Sequence, residues 1–239
     1  MKKILILFLS FVLSFGVQIN AKNNSFPVKN LKNINSIAPI MIQFNRSLNA
    51  SAKGMSLTSF KVPKLSEEES AFYLKFSEEI ISSFQDEVNI EVANKSVLKS
   101  SNSYQQISKK DVKPAFVLPA PYQQVNLKKL KAKNIKKVKE LCRELNVDAI
   151  LAFDFDYGVY STGVGPLSKK KYQLKSHILI IDKNGKVLID TKIKPDYIKG
   201  NLGVSAFGVT TAGKADNYYL NLKKKWFEAF REALTVKGK

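Results

Sequence analysis

Two aspartates with the spacing of a strand are the first candidates for chemistry. Asp154 and Asp156 alternate with apolar residues, so both carboxylates lie on the same face of a predicted strand. Paired carboxylates can carry out acid–base chemistry or bind a metal ion. The returning strand of the same hairpin begins with Lys169, Lys170 and Lys171, which offer cross-strand charge pairing on the solvent side instead. We favour the charge pairing.

The chain has a single histidine and a single cysteine, and this limits the chemistry open to it. His177 could act as a base, but no Ser or Cys constellation surrounds it in the sequence. Cys142 lies on the apolar side of a predicted helix and is expected to be a small buried hydrophobe. One cysteine cannot form an internal disulfide, and the chain cannot supply the several His or Cys ligands of a zinc site. We therefore expect no metal and no cofactor.

The stretch from Gly208 to Lys214 (GVTTAGK) matches most of a phosphate-binding loop, and a predicted helix follows it. Such loops need glycines so that backbone N–H groups can surround phosphates, a lysine for charge and a hydroxyl for magnesium. Here Ala215 stands where the hydroxyl should be, and no convincing strand precedes the loop. These departures argue against a nucleotide site.

The net charge suggests an anionic partner. It is +19, from 39 basic and 20 acidic residues, and such a field attracts nucleic acid, lipid headgroups or polyanionic glycans. Only three of the basic residues are arginines, whereas base and phosphate recognition favours arginine's planar donors. We therefore expect no nucleic-acid partner. Abundant lysine and asparagine also fit a bias towards adenine-rich codons, so a functional basic surface and a compositional bias both remain open.

Nine lysines are the candidate binding residues. Six follow the polar side of the central helix and its approach, and three begin the second strand of the hairpin: Lys128, Lys129, Lys131, Lys133, Lys136, Lys137, Lys169, Lys170 and Lys171. The helical set is either the solvated face of an amphipathic helix or an electrostatic dock for anionic lipid, lipopolysaccharide or glycan. The sequence fits both equally well.

The region that positions these residues is one helix followed by a meander of three antiparallel strands. Residues 134–145 place apolar side chains at helical spacing, and strands are predicted at 149–159, 172–181 and 187–193. A tight turn at Asn184-Gly185 joins the last two strands, because this pair accepts the positive φ of a hairpin.

The rest of the chain adds a strand at Ile37–Phe44, a helix that begins with the capping box Ser66–Glu69, and a strand at Val88–Val92. Asp216 is expected to cap a last helix at 217–235, after a glycine-rich loop at 196–214. The predicted fold class is α/β, with a mixed sheet of about five strands, helices packed mainly on one face and the antiparallel meander at its C-terminal end. Residues 37–239 are predicted to form a single domain.

The N-terminus has the pattern of an export signal. A basic start at Met1–Lys3, an apolar run at Ile4–Val17 and a plausible cleavage site at Ala21 predict a signal peptide at 1–21, followed by a flexible arm at 22–36. The apolar run is shorter than the roughly 20 residues that span a bilayer, although an uncleaved anchor is the alternative. We therefore expect the protein to be exported to the periplasm or the outer-membrane periphery of a Gram-negative-type bacterium.

The order of elements resembles a group of bacterial envelope α/β domains. This group includes the amino-terminal domain of the TolB translocation protein, the curli secretion channel subunit and periplasmic activators of peptidoglycan synthases. The most specific part is LNVDAI at Leu145–Ile150 together with the turn at Asp182–Val187. The resemblance implies a non-enzymatic envelope protein that works through contacts. The chain lacks a lipid-bearing cysteine and a pair of long amphipathic hairpins, so the resemblance does not extend to a pore.

The sequence therefore predicts an exported, non-catalytic envelope protein that binds a protein partner or an anionic envelope surface, with homo-oligomerisation left open. One alternative is an envelope hydrolase or phosphate-handling enzyme that uses Asp154, Asp156 or Lys214. Another is a surface adhesin for polyanionic glycans, whose binding would weaken steeply with added salt.

Overall fold

The computed structural model describes residues 25–49, 67–107, 109, 116–117, 122–162, 169–200 and 212–235. The predicted signal peptide at 1–21, the capping residue Ser66 and most of the predicted glycine-rich loop lie outside these residues.

The strands of the described part form one mixed sheet. They are β1 (Ser36–Asn49), β2 (Glu91–Val92), β3 (Phe116–Val117), β4 (Ala149–Thr162), β5 (Lys169–Asp182), β6 (Val187–Ile193) and β7 (Ile198–Gly200). The order is β2-β1-β4-β5-β6, with β3 pairing β1 and β7 pairing β5. β1 is parallel to β2 and β4, and β4, β5 and β6 form the antiparallel meander. The predicted α/β class, the mixed five-strand path and the meander are confirmed.

Six α-helices connect or cover the strands in the described residues. They are α1 (Glu67–Val88), α2 (Lys95–Ser100), α3 (Asn102–Gln105), α4 (Leu127–Leu130), α5 (Ile135–Glu144) and α6 (Ala212–Thr235). α6 begins before Asp216, which therefore lies inside the helix and does not cap it. Ala212, Lys214 and Ala215 favour a helix, and the helix extends upstream of the predicted start despite Gly213. Within the described residues, no helix is both long and apolar enough to cross a membrane.

The two long helices, α1 and α6, share one face of the sheet, whereas α4 and α5 lie on the other. In the strand order, β2 and β4 lie on opposite sides of β1. The chain moves from β1 through α1 to β2, and it later moves back past β1 through α4 and α5 to β4, in the opposite direction. Because parallel crossovers are right-handed, a reversal of direction moves the crossover helices to the opposite face.

The face under α1 and α6 holds an aromatic core. Phe44 and Phe155 stack at 4.8 Å between ring centroids, and Trp226 of α6 lies 5.0 Å from Phe155 and parallel to Phe230 at 5.3 Å. The Trp226 indole N–H donates to Ser176 Oγ at 2.9 Å, so its one polar atom is paired within the core.

The described part of the predicted flexible arm is packed against the domain. Phe26 is 1% exposed, and its ring meets Phe84 and Phe230 edge-on. Its backbone N–H donates to Ala233 O at 2.9 Å, and a 3-10 helix follows at Val28–Leu31. A single aromatic residue in a polar stretch gives no periodic signal, and this is why the sequence pattern predicted an arm.

The LNVDAI stretch has a structural role. Asp148 accepts hydrogen bonds from the backbone N–H groups of Asn35 at 3.0 Å and Ser36 at 3.4 Å, and from Lys183 Nζ at 2.7 Å. One carboxylate thus joins the start of β1, the start of β4 and the β5–β6 turn. The hydrogen bond from Lys183 is the main cause that lowers the pKa of Asp148.

The β5–β6 turn is fixed by Gly185, which adopts a φ of +83° as the hairpin prediction requires. A Cβ at Gly185 would lie 2.9 Å from Ile135 Cγ2, so glycine also lets α5 pack closely on the turn.

Candidate binding groove

A groove opens on the α4 and α5 face of the sheet, where those short helices end. Along β4, Ile150 and Ala152 are buried beneath the helices, and Asp154 lies beyond their cover at the groove floor. The groove has a volume of about 810 Å³. Its lining residues come from the N-terminal segment, the α4 region and the strands: Ser25, Val125, Asn126, Leu127, Lys128, Lys131, Asp154, His177, Asp190, Thr191, Lys192 and Lys194.

Asp154 is held in place by two amide side chains of β1. Gln43 Nε2 donates to Asp154 Oδ1 at 2.6 Å, and Asn45 Nδ2 donates to the same oxygen. Asn45 Nδ2 also donates to the backbone oxygen of Phe155 at 2.7 Å. Gln43 is fully buried, so the carboxylate at the floor rests on a fixed polar support.

His177 lies directly opposite Asp154 in the β4–β5 ladder and contacts a second carboxylate. Its Nε2 lies 2.5 Å from Asp190 Oδ1, and Lys131 Nζ lies 2.6 Å from Asp190 Oδ2. Partial burial tends to raise the pKa of Asp190, but the hydrogen bonds from Lys131 and His177 outweigh it and the pKa is lowered. Asp190 therefore stays ionised and holds the two basic groups at the groove.

The predicted pairing of Asp154 and Asp156 with Lys169–Lys171 is wrong in register. Asp154 faces His177 and Asp156 faces Lys175 across the ladder. The three predicted lysines lie close to the connection between β4 and β5, where Lys169, Lys170 and Lys171 pair with Thr162, Ser161 and Tyr160. The alternation of β4 indicates which face is buried but not which residues of β5 lie opposite, so the register could not be derived from the sequence pattern.

The structure divides the predicted lysine set. Lys128 and Lys131 line the groove, whereas Lys129, Lys133 and Lys136 are exposed and do not line it. Lys137 contacts Glu140 at 3.3 Å and donates to Gln106. Lys171 lies 5.8 Å from the ring centroid of Tyr197.

The sequence analysis did not identify Lys192 and Lys194, although both line the groove. Lys192 lies opposite His177 in the β5–β6 ladder. The available signal was the alternation Asp190, Lys192, Lys194, which places polar residues on one face of β6 and its extension.

The groove therefore combines a basic rim with a carboxylate floor. Four lysines border it, and two aspartates with His177 form its polar floor. Among the described residues there is no group of three or more His, Cys, Asp or Glu side chains placed to hold a metal ion. The arrangement suits an anionic group at the rim and hydrogen-bond donors at the floor.

A second depression, of about 510 Å³, lies beside the LNVDAI stretch and includes Cys142 and Asp148. Cys142 is 1% exposed, and burial, followed by the nearby Asp182 and Asp148 charges, raises its pKa to about 12. The thiol is therefore protonated at neutral pH. The prediction that Cys142 is buried is confirmed.

Comparison with known proteins gives little further information. No protein-family model matches the chain, and no curated protein matches it significantly. Among solved structures, the chain is similar to the crystal structure of lipoprotein GNA1162 from Neisseria meningitidis. The match has 14% sequence identity and a TM-score of 0.36, and covers 78% of this chain and 95% of that one. At this TM-score the two folds are only loosely related, and nothing about the activity of this chain follows from the match.

Proposed function

We propose that the chain is an exported, non-catalytic cell-envelope protein that binds an anionic envelope component through its groove. The observation that carries the proposal is the convergence of Lys128, Lys131, Lys192 and Lys194 around one groove. These lysines come from two distant parts of the chain, and the fold brings them together at one groove.

The electrostatics favour an anion over a cation. Asp190 offsets the charge of Lys131, but Lys128 and Lys192 have no carboxylate within ion-pair distance in the part of the chain that the structure describes. The four lysines of the groove outnumber its two aspartates, and a concave surface with net positive charge raises the local concentration of an anionic ligand.

The N-terminal pattern supports an envelope location. A basic start, an apolar run at Ile4–Val17 and the Ala21 site are typical of export signals. The described domain begins packing at Phe26, shortly after this segment. A segment of 1–21 could therefore be removed without taking away any of the described packing.

The test compares two triple variants of the exported form in sedimentation with isolated Gram-negative envelopes. K128Q/K192Q/K194Q removes charge from the groove, and K129Q/K133Q/K136Q removes the same charge from the neighbouring exposed surface. At about 1 kcal/mol per lysine, the groove variant should bind about 100-fold more weakly. The control variant should remain within about threefold of the unchanged chain. Equal losses in the two variants would show that overall charge alone drives the binding.

An envelope hydrolase is a second candidate, because His177 lies between Asp154 and Asp190 in a groove. A histidine held by a carboxylate can activate water as a general base. Within the described residues, however, His177 hydrogen-bonds only to Asp190, and no hydroxyl or thiol nucleophile is bonded to it. Hydrolysis of a chromogenic phosphate ester that is lost in H177Q would establish the enzyme and displace the binding proposal.

A further inference from the structure

We propose that the ligand of the groove is a phosphate ester of a polyhydroxylated group, with the phosphate at the lysine rim and hydroxyls at the Asp154 floor. This inference rests on the proposed function and specifies its ligand. The shared chemistry could come from a soluble sugar phosphate or from a lipid headgroup that carries free hydroxyls.

The rim provides the phosphate site. Lys128 and Lys131 approach from the α4 side, and Lys192 and Lys194 approach from the β6 side. Lysine ammonium groups bind phosphate as point charges and do not need the planar geometry of arginine. The near absence of arginine from the chain is therefore compatible with a phosphate site of this kind.

The floor provides hydrogen-bond acceptors in fixed positions. Asp154 is oriented by Gln43, which is fully buried, and by Asn45, which is 9% exposed. Asn126 also lines the groove. Its Oδ1 accepts a hydrogen bond from the backbone N–H of Lys129, in the first turn of α4. Carboxylates recognise neutral ligands by accepting hydrogen bonds from their hydroxyl groups.

The mixture of charges narrows the ligand class. A linear polyanion that filled the groove would bring negative charge against Asp154 and Asp190, and this repulsion disfavours it. Apart from Val125 and Leu127, the residues that line the described groove are polar or charged, and such a lining suits a ligand that carries charge and hydroxyl groups. A ligand with one anionic end and one hydroxylated end satisfies both parts of the groove.

The size of the groove agrees with this class. Small-molecule sites typically have volumes of roughly 300–1,000 Å³, and the groove has about 810 Å³. A monosaccharide phosphate, or the headgroup of one lipid, fits within it.

The experiment is a calorimetric titration of the exported form with glucose 6-phosphate, inorganic phosphate and glucose. The unchanged chain should bind glucose 6-phosphate at least about tenfold more tightly than inorganic phosphate, because hydrogen bonds to Asp154 add to the phosphate contact. In D154N, affinity for glucose 6-phosphate should fall about tenfold, while affinity for inorganic phosphate is unchanged or rises. An unchanged ratio between the two ligands in D154N would overturn the inference.

A second readout keeps the test decisive if D154N does not fold. His177 is the only histidine, so its imidazole resonances report on the groove without ambiguity. Glucose 6-phosphate should shift them in the unchanged chain, and glucose should not. Absence of this shift, together with no calorimetric binding, would overturn the inference.

Vesicles separate the two sources of the ligand. Binding to phosphatidylglycerol vesicles but not to phosphatidic acid vesicles, which lack the glycerol hydroxyls, would assign the lipid headgroup. Binding to glucose 6-phosphate alone would assign the soluble ester. If envelope binding depends on the groove lysines but none of these esters binds, the ligand inference fails and the proposed function stands.

Discussion

The two faces of β4 differ sharply in chemistry. Phe153 and Phe155 pack under α1 and α6 among aromatic rings, with no exposed surface. Asp154, between them in sequence, points the other way and lines the groove. One face of the sheet is apolar and densely packed. The other face carries a row of polar side chains across β1, β4, β5 and β6, with hydrogen bonds from Gln43 to Asp154 and between His177 and Asp190. Residues one position apart on β4 thus have different environments: the two phenylalanines lie in the packed core, and the aspartate between them lines the groove.

The largest effect is expected in the aromatic core. Trp226→Ala should lower the free energy of unfolding by about 4 kcal/mol, because it opens a large cavity between α6 and β4. Leu220→Ala, in the same helix and 47% exposed, should cost less than about 0.5 kcal/mol. Denaturant unfolding followed by circular dichroism measures both. Similar values for the two variants would contradict the role assigned to the Trp226 ring in the aromatic core.

The N-terminal segment should behave as part of the same core. Phe26→Ala should cost about 3 kcal/mol, because the ring fills the space between Phe84 and Phe230. Ser25→Ala, one residue earlier and exposed, should change stability by less than about 0.5 kcal/mol. The same unfolding experiment applies. A neutral Phe26→Ala would show that this segment is an arm, as its sequence pattern predicts.

Asp148 should contribute less than either aromatic residue, and its contribution should depend on pH. Asp148→Ala leaves the Asn35 and Ser36 N–H groups without their acceptor, at a cost of about 2 kcal/mol at neutral pH. The pKa of Asp148 is lower in the folded chain than the ordinary value of 3.8, so its stabilisation is complete above that value and disappears as the pH falls through the lower, folded pKa.

Unfolding free energies of the unchanged chain and Asp148→Ala, measured from pH 7 down to about pH 3, check this prediction. The difference between the two should shrink with acidification. Glu232→Ala, at an exposed position of α6, is the control and should show no such trend. A difference that is constant or grows towards acid would contradict the role assigned to the Asp148 carboxylate.

The smallest effect on stability is expected in the groove. Lys192→Gln and Lys194→Gln should each change the unfolding free energy by less than about 0.5 kcal/mol, because both residues are exposed. Their effect should be seen in anion binding and not in thermal unfolding. Destabilisation above about 1 kcal/mol would mean that the basic rim contributes to folding stability. The two faces of β4 would then not differ in this respect.

The sequence was informative where the signal is local. The helical spacing around Val138 and Leu141, the alternation of β4 and the turn at Asn184-Gly185 each follow from neighbouring residues. These patterns were sufficient for the fold class and the meander.

The groove depends on contacts between distant parts of the chain. Gln43 and Asp154 are 111 positions apart, and Lys131 and Asp190 are 59 apart. No local period encodes such pairs. The placement of α5 on the second face likewise depends on the direction in which the chain crosses the sheet, and the order of strands in the sheet had to be known first.

Nuclear magnetic resonance of the two unique side chains can show whether an anion binds at the groove and leaves the aromatic core undisturbed. His177 reports on the groove, and Trp226, the only tryptophan, reports on the aromatic core. During titration with inorganic phosphate at constant ionic strength, we expect a saturable shift of the His177 resonances and a stationary Trp226 indole signal. The His177 shift should be lost in K128Q/K192Q/K194Q. A His177 signal that does not move, or that moves equally in the triple variant, would contradict this expectation.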